Sequence, residues 1–263
     1  MSDTQTKSKD SFGRTLIFVF IVCLVCAALV SVSAVVLKPL QTANKLLDQQ
    51  TKILETAGLL EEAGKDSQSI VAIYDKFVEA KMIDLNSGKF IEGDVITFDE
   101  RAESRNVENS AKPVNDIAGI NRRANNAVIY LIKNEQGAVD SVVLPIIGSG
   151  LWDLMSGFIG LETDLTTVKS VIYSDHKETP GLGALVTSDN WKALWPGKKM
   201  FDEQNNIAIQ IVKGGAKEGD VHGVDGLSGA TLTSNGVEHT LHFWLGDEGY
   251  GPFITNFRDG GLN

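Results

Sequence analysis

Asp225 to Thr231 reads Asp-Gly-Leu-Ser-Gly-Ala-Thr, which packs two glycines, two hydroxyls and one carboxylate into seven positions. Leu232-Thr233-Ser234-Asn235 follow, and then Val237, Leu241, Trp244 and Leu245 at the i, i+4, i+7, i+8 spacing of a helix. Glycine lets backbone approach a bulky ligand and turn where other residues cannot. A helix that opens just afterwards aims unpaired N–H groups and the positive end of its dipole at whatever lies there. A phosphate suits that place. By composition alone the stretch also reads as a Gly/Ser loop leading to a helix N-cap.

A second unusual run is His176-Lys177-Glu178-Thr179-Pro180-Gly181-Leu182-Gly183-Ala184. Pro180 fixes the backbone and removes a donor, and two glycines surround one leucine. Taken alone, it is a strand-to-helix turn. His239 and His242 fall at i, i+3 with Asp247 and Glu248 nearby. That geometry admits a metal, but the apolar stripe of the helix lies on a neighbouring face, so solvated or hydrogen-bonded histidines are expected and no metal site. The chain has no Gly-x-Gly-x-x-Gly or P-loop pattern and no Cys₄ pattern, which argues against a nicotinamide site of that kind and against an iron–sulfur cluster.

Both runs resemble motifs of the FMN-binding domain family: D-G-x-S-G-A-T in the first, H-x-E-T-P-G-L-G in the second. The resemblance implies covalent FMN, attached through its phosphate to Thr231 by a separate flavin transferase. A threonine hydroxyl can end as a stable phosphate ester, and the small neighbours Ser228, Gly229 and Ala230 leave its Oγ accessible. It also implies that Glu178, Thr179, Gly181 and Leu182 lie against the flavin ring. Such a ring needs an apolar plate on its face, which Leu182 can supply, and hydrogen-bond partners at its edge, which Thr179 and backbone N–H groups can supply. Trp152, in Gly148-Ser149-Gly150-Leu151-Trp152, is a further stacking candidate, with a core tryptophan beside a glycine turn as the competing reading. Trp191, Trp195 and Trp244 read as packing residues.

The resemblance extends to the fold and to the assembly. It implies an electron-carrying subunit, without catalytic residues of its own, in a membrane complex passing electrons from NADH to ubiquinone coupled to Na⁺ export. The homologous flavoprotein subunit of an ion-translocating ferredoxin:NAD oxidoreductase, and a membrane-tethered scaffold without cofactor, remain alternatives. Residues 16–37 form a charge-free apolar stretch of 22 residues. At about 1.5 Å per residue it covers roughly 33 Å, enough for a bilayer core. Ser31-Val32-Ser33-Ala34 offers signal-peptidase spacing, but the run is longer than a usual signal h-region, which favours a retained anchor. Lys7, Lys9 and Arg14 precede the span and Lys38, Lys45 and Lys52 follow it, so charge does not orient it. The resemblance favours a single-pass inner-membrane protein with its soluble part in the periplasm. Cys23 and Cys26 share one face of the span and read as helix-packing residues.

The formal net charge of −10 opposes nucleic-acid binding. Arg122-Arg123 and Lys198-Lys199 read as isolated, solvated doublets. A hydrophobic content of 43% is ample for a folded core in the roughly 225 residues after the span. A short tail (1–15), the span (16–37), a helical and strand segment (38–126) and the FMN-binding domain (127–263) are the expected divisions. Helices are expected up to Ala57, with Gly58 as the stop, and from an Asp66 or Ser67 cap through Val78. One or two strands are expected within 88–98, and 99–123 reads as a polar linker or excursion. Strands at 128–132 and 139–145 flank an Asn134–Gly137 turn signal, with more at 158–161, 168–173 and 207–212. Helices are expected at 182–187, 189–194 and 235–245, with Gly246 stopping the last. This is an α+β pattern: one N-terminal transmembrane helix, then a soluble domain with a largely antiparallel sheet.

Overall fold

The computed structural model describes residues 12–64 and 66–260. In chain order the elements are α1 (Phe12–Ala57), α2 (Leu60–Ala63), α3 (Ser67–Phe77), β1 (Val78–Asp84), β2 (Lys89–Ile91), α4 (Glu100–Arg105), β3 (Ser110–Ala111), β4 (Arg123–Ala124), β5 (Asn126–Lys133), β6 (Val139–Ser149), β7 (Leu154–Glu162) and β8 (Val168–Asp175). A 3₁₀ turn (Gly183–Thr187), α5 (Asp189–Lys192), β9 (Gln210–Val212), β10 (Gly223–Asp225), α6 (Thr231–Leu245) and α7 (Gly251–Arg258) follow.

Two compact units divide at the Asp48–Gln49 step. In the first, α1 carries the apolar run, whose mean hydropathy reaches 3.0, and its length and composition suffice to cross a membrane. Its side chains are exposed from Phe12 through Leu46, as lipid-facing residues would be. Of the expected tail, residues 1–11, with Lys7 and Lys9, lie outside the described residues.

The second unit is built on a sheet ordered β2-β1-β5-β6-β7-β8, each neighbouring pair antiparallel. Successive side chains of a strand point to opposite faces, and here both faces are buried. Ile129, Leu131, Val142, Leu144 and Ile159 belong to the core that also takes Val237, Leu241 and Trp244 of α6 and Phe253 of α7. Val128, Tyr130, Ile132, Val143 and Phe158 face the other way, onto Ile53 and Ala57 from the last turns of α1. Burial on both sides explains why residues 128–132 read as an unbroken apolar run instead of an alternating one. Trp244 Nε1 donates to the Ile147 carbonyl at 2.7 Å, fixing α6 on β6.

Several local expectations hold. Gly58, at φ +75°, follows the end of α1. Asp66 caps α3, accepting from Gln68 and Ser69 N–H at 3.1 and 2.9 Å. Others change. Val78 completes the helical spacing of α3 yet opens β1, pairing with Ile132 of β5. Residues 92–98 form no strand, leaving only β2 there. The excursion at 99–123 contains α4, β3 and the first residue of β4. Arg123 is buried, donating to the Glu248 carbonyl and to Asn86 Oδ1, so the Arg122-Arg123 doublet is not solvated throughout. The strand expected at 207–212 shortens to β9, and α6 starts at Thr231 instead of 235.

Candidate functional site

β9 and β10 pair in parallel, with Asp225 opposite Val212, and deliver the chain into the 226–230 loop. Gly226 N–H donates to the Val212 carbonyl at 2.9 Å, and Trp191 Nε1 donates to the Asp225 carbonyl at 2.9 Å. Inside the loop, Leu227 N–H donates to Ser234 Oγ at 2.9 Å. Gly229 sits at φ +75°, a conformation L side chains rarely adopt. The loop is therefore fixed from both ends and from within.

α6 then opens at Thr231 with Ala230 as its N-cap, and Ala230 offers no capping side chain. Alanine is a poor cap. The N–H groups of Thr231, Leu232 and Thr233 meet no acceptor among the described residues. The first turn holds no acidic side chain either, so the positive end of the helix is uncompensated. Thr231 is exposed there, on an open cavity of about 470 Å³ lined also by Lys213, Gly214, Asp225, Ser228 and Asn235. A cation, free donors and a hydroxyl converge there, beside the Asp225 carboxylate, whose Oδ1 accepts from Ala216 N–H at 2.8 Å. The cavity brings in Lys213, which the sequence pattern did not single out; the only signal was a Lys-Gly-Gly run directly after a strand.

The second segment meets the first. The Thr179 carbonyl accepts from Leu182 and Ala184 N–H, each at 3.1 Å, and so closes a turn around Gly181 at φ +75°. Leu182 is 43% exposed, and its Cδ2 lies 3.1 Å from where a Cβ on Gly229 would stand. Trp152 is 68% exposed and its Nε1 donates to Thr179 Oγ1 at 3.2 Å. An exposed indole set aside from the core disposes of the packing reading for Trp152. Trp191, Trp195 and Trp244 are buried, as expected of packing residues.

Glu178 lies beneath this surface. Its Oε1 accepts from Leu151 N–H at 2.9 Å and from Trp152 N–H at 3.2 Å, and its Oε2 accepts from Thr233 Oγ1. Lys177 pairs with Asp153 across the same two loops, and that ammonium holds the Asp153 carboxyl below its usual range. His242 Nε2 lies 2.7 Å from the Ile209 carbonyl, and His239 is exposed.

The family pattern described as the FMN-binding domain matches residues 150–246, from the Gly150 turn to Gly246 at the end of α6. It contains both motifs and every loop that converges on the cavity. The C-subunit of the Na(+)-translocating NADH-quinone reductase of Vibrio alginolyticus is 46% identical over 261 residues, covering 98% of this chain and 100% of that protein. The C-subunit of the Yersinia pestis enzyme is 45% identical, covering 100% of this chain and 99% of that one. This chain belongs to the family of these C-subunits, the NqrC family. The crystal structure of NqrC from Shewanella oneidensis agrees with it at a TM-score of 0.79 and 39% identity, covering 82% of this chain and 99% of that one. A second crystal structure of such a C-subunit, from Parabacteroides distasonis, gives a TM-score of 0.66 at 26% identity, covering 83% of this chain and 97% of that one. The FMN-binding pattern takes in only β7 and β8 of the six-stranded sheet, whereas the NqrC relatives align from end to end. The likeness to the NqrC relatives therefore also takes in the sequence of the N-terminal apolar helix and of the strands β1, β2, β5 and β6.

Proposed function

We propose that this chain is the flavin-carrying subunit of a Na⁺-translocating NADH:quinone reductase, holding one FMN as a phosphate ester of Thr231. The observation that carries the reading is the attachment loop itself: an exposed threonine at the first position of an uncapped helix, on a cavity walled by Lys213. Bound FMN supplies one- and two-electron transfer between neighbouring subunits. Thr231 holds the phosphate end, while the free N–H groups of α6 and the Lys213 ammonium offset its charge. Ser228, Gly229 and Ala230 keep the approach to Thr231 open. Leu182 and Trp152 supply apolar surface for the ring, and Thr179 and the turn at Gly181 supply its polar edge. Glu178, expected against the ring, is buried with both oxygens held by protein donors and supports the seat from beneath. α1 anchors the chain in the inner membrane, with the soluble unit on the periplasmic side and other subunits of the complex as electron donor and acceptor.

Attachment requires a separate flavin transferase, because the soluble part has no nucleotide-binding signature with which to modify itself. Expressed in a host lacking the transferase, residues 38–263 should fold and carry no covalent flavin. Covalent labelling of that protein by FAD and Mg²⁺ alone would overturn the requirement.

Leu182→Ala should leave the flavin attached, since the ester does not depend on the ring seat. It removes an apolar surface worth roughly 1.5–3 kcal/mol when fully buried, less for a side chain that starts partly exposed. The ring becomes wetter and more mobile, so the absorption spectrum or reduction potential should shift, and Thr179→Ala should act in the same way. Wild-type spectra and potentials in both variants would put the ring elsewhere, with Trp152 as the leading contact.

A further inference from the structure

Glutamate is almost never fully buried unless it is paired. Glu178 is 5% exposed, and both its oxygens are occupied by neutral donors from other parts of the chain. Those donors come from the Leu151–Trp152 backbone, which carries the exposed indole, and from Thr233, in the turn of α6 that begins at Thr231. Glu178 itself adjoins Thr179 and the Leu182 turn. One carboxylate thus ties together the three segments that form the proposed site.

The surrounding sequence makes room for it. A Cβ at Gly150 would collide with Glu178 Oε1, and a Cβ at Gly183 would collide with Oε2 and with Thr233 Oγ1. Neither glycine has the positive φ that would explain it by conformation. Close approach of the carboxylate is what these two positions share.

We propose that Glu178 is a positioning residue of the flavin site: it locks the Trp152 loop and the first turn of α6 to the Thr179–Leu182 turn, and so sets where the ring seat stands relative to the tether. This deepens the reading above and rests on FMN being attached at Thr231. A tether fixes only the phosphate end of the cofactor. The ring is held by side chains on two loops, and loops without such a clamp move on the nanosecond-to-microsecond scale. Glu178 acts through those loops; its own oxygens are turned toward protein donors.

The test uses the full chain co-expressed with the flavin transferase, read by in-gel flavin fluorescence, flavin emission anisotropy, midpoint potential and thermal midpoint. Glu178→Ala should keep the tethered flavin, lower the anisotropy and shift the potential. Glu178→Gln should restore both toward wild type, because its amide oxygen still accepts two N–H groups and its amide nitrogen can donate to Thr233. Thr233→Val removes one bond only and should move the same signals in the same direction, which decides the matter if Glu178→Ala fails to fold. Thr240→Val, further along α6, is the control that should alter stability alone. Wild-type anisotropy and potential in Thr233→Val or a folded Glu178→Ala would overturn the proposal, as would a Gln variant displaced as far as the Ala one. Loss of in-gel fluorescence from the unaltered chain would strike the tether itself, and the proposal with it.

Discussion

Thr231→Ala should give a folded chain whose band on a denaturing gel shows no flavin fluorescence, however much transferase is present. The side chain is exposed and no protein group hydrogen-bonds to it among the described residues, so its removal touches no core contact. Surface changes of this kind stay within about 0.5 kcal/mol, and the thermal midpoint should hardly move. The neighbouring hydroxyls offer poor substitutes. Thr233 and Ser234 are buried, the first donating to Glu178 and the second accepting from Leu227 N–H. Ser228 is exposed and is the one rival within the loop. Fluorescence retained in Thr231→Ala and lost only in Ser228→Ala would move the tether by three positions and break the proposed link to the start of α6.

Gly236→Val should be the most destabilising single change near the site. α6 crosses β6 so closely at this point that the Ser149 carbonyl oxygen lies 2.2 Å from where a Cβ would stand. A flexible side chain could rotate away; a strand backbone cannot. The helix must lift, and with it Val237, Leu241 and Trp244, all 0% exposed in the core beneath. Overpacking typically costs about 1–3 kcal/mol, and a clash with backbone belongs at or above the upper end. For a unit of this size each kcal/mol moves the midpoint by about 2–4 °C, so a fall of roughly 6–12 °C or more is expected by calorimetry. A midpoint within a degree or two of wild type would mean that the helix does not pack on β6 in this way.

The loop that leads into α6 was easier to read from the residues than the edges of the scaffold around it. Asp225 to Thr231 stands out because glycines, hydroxyls and a following helical pattern coincide within a few positions, and local composition suffices to place a loop before a helix. β1 was hidden because Val78 continues the apolar spacing of α3 while its pairing partner Ile132 lies far along the chain. α7 opens at Gly251-Pro252, with the proline in its first turn, and its eight residues are too few to carry a strong periodic pattern. The buried state of Arg123 depends on the Glu248 carbonyl and on Asn86, and that of Glu178 depends on Leu151, Trp152 and Thr233. Neither could be seen in the neighbouring sequence, because each partner is supplied by a different element. Lys213 joins the cavity only through the parallel pairing of β9 with β10, a contact that leaves no periodic trace.

The proposed tether is a specific bond between one phosphate and one threonine. Its most direct test is peptide mass spectrometry of the native protein extracted from membranes. The peptide spanning Asp225–Thr231 should carry the added mass of FMN less one water, with fragmentation assigning it to Thr231. An unmodified peptide from a fully loaded complex, or a flavin mapped to Ser228 or Thr233, would contradict it.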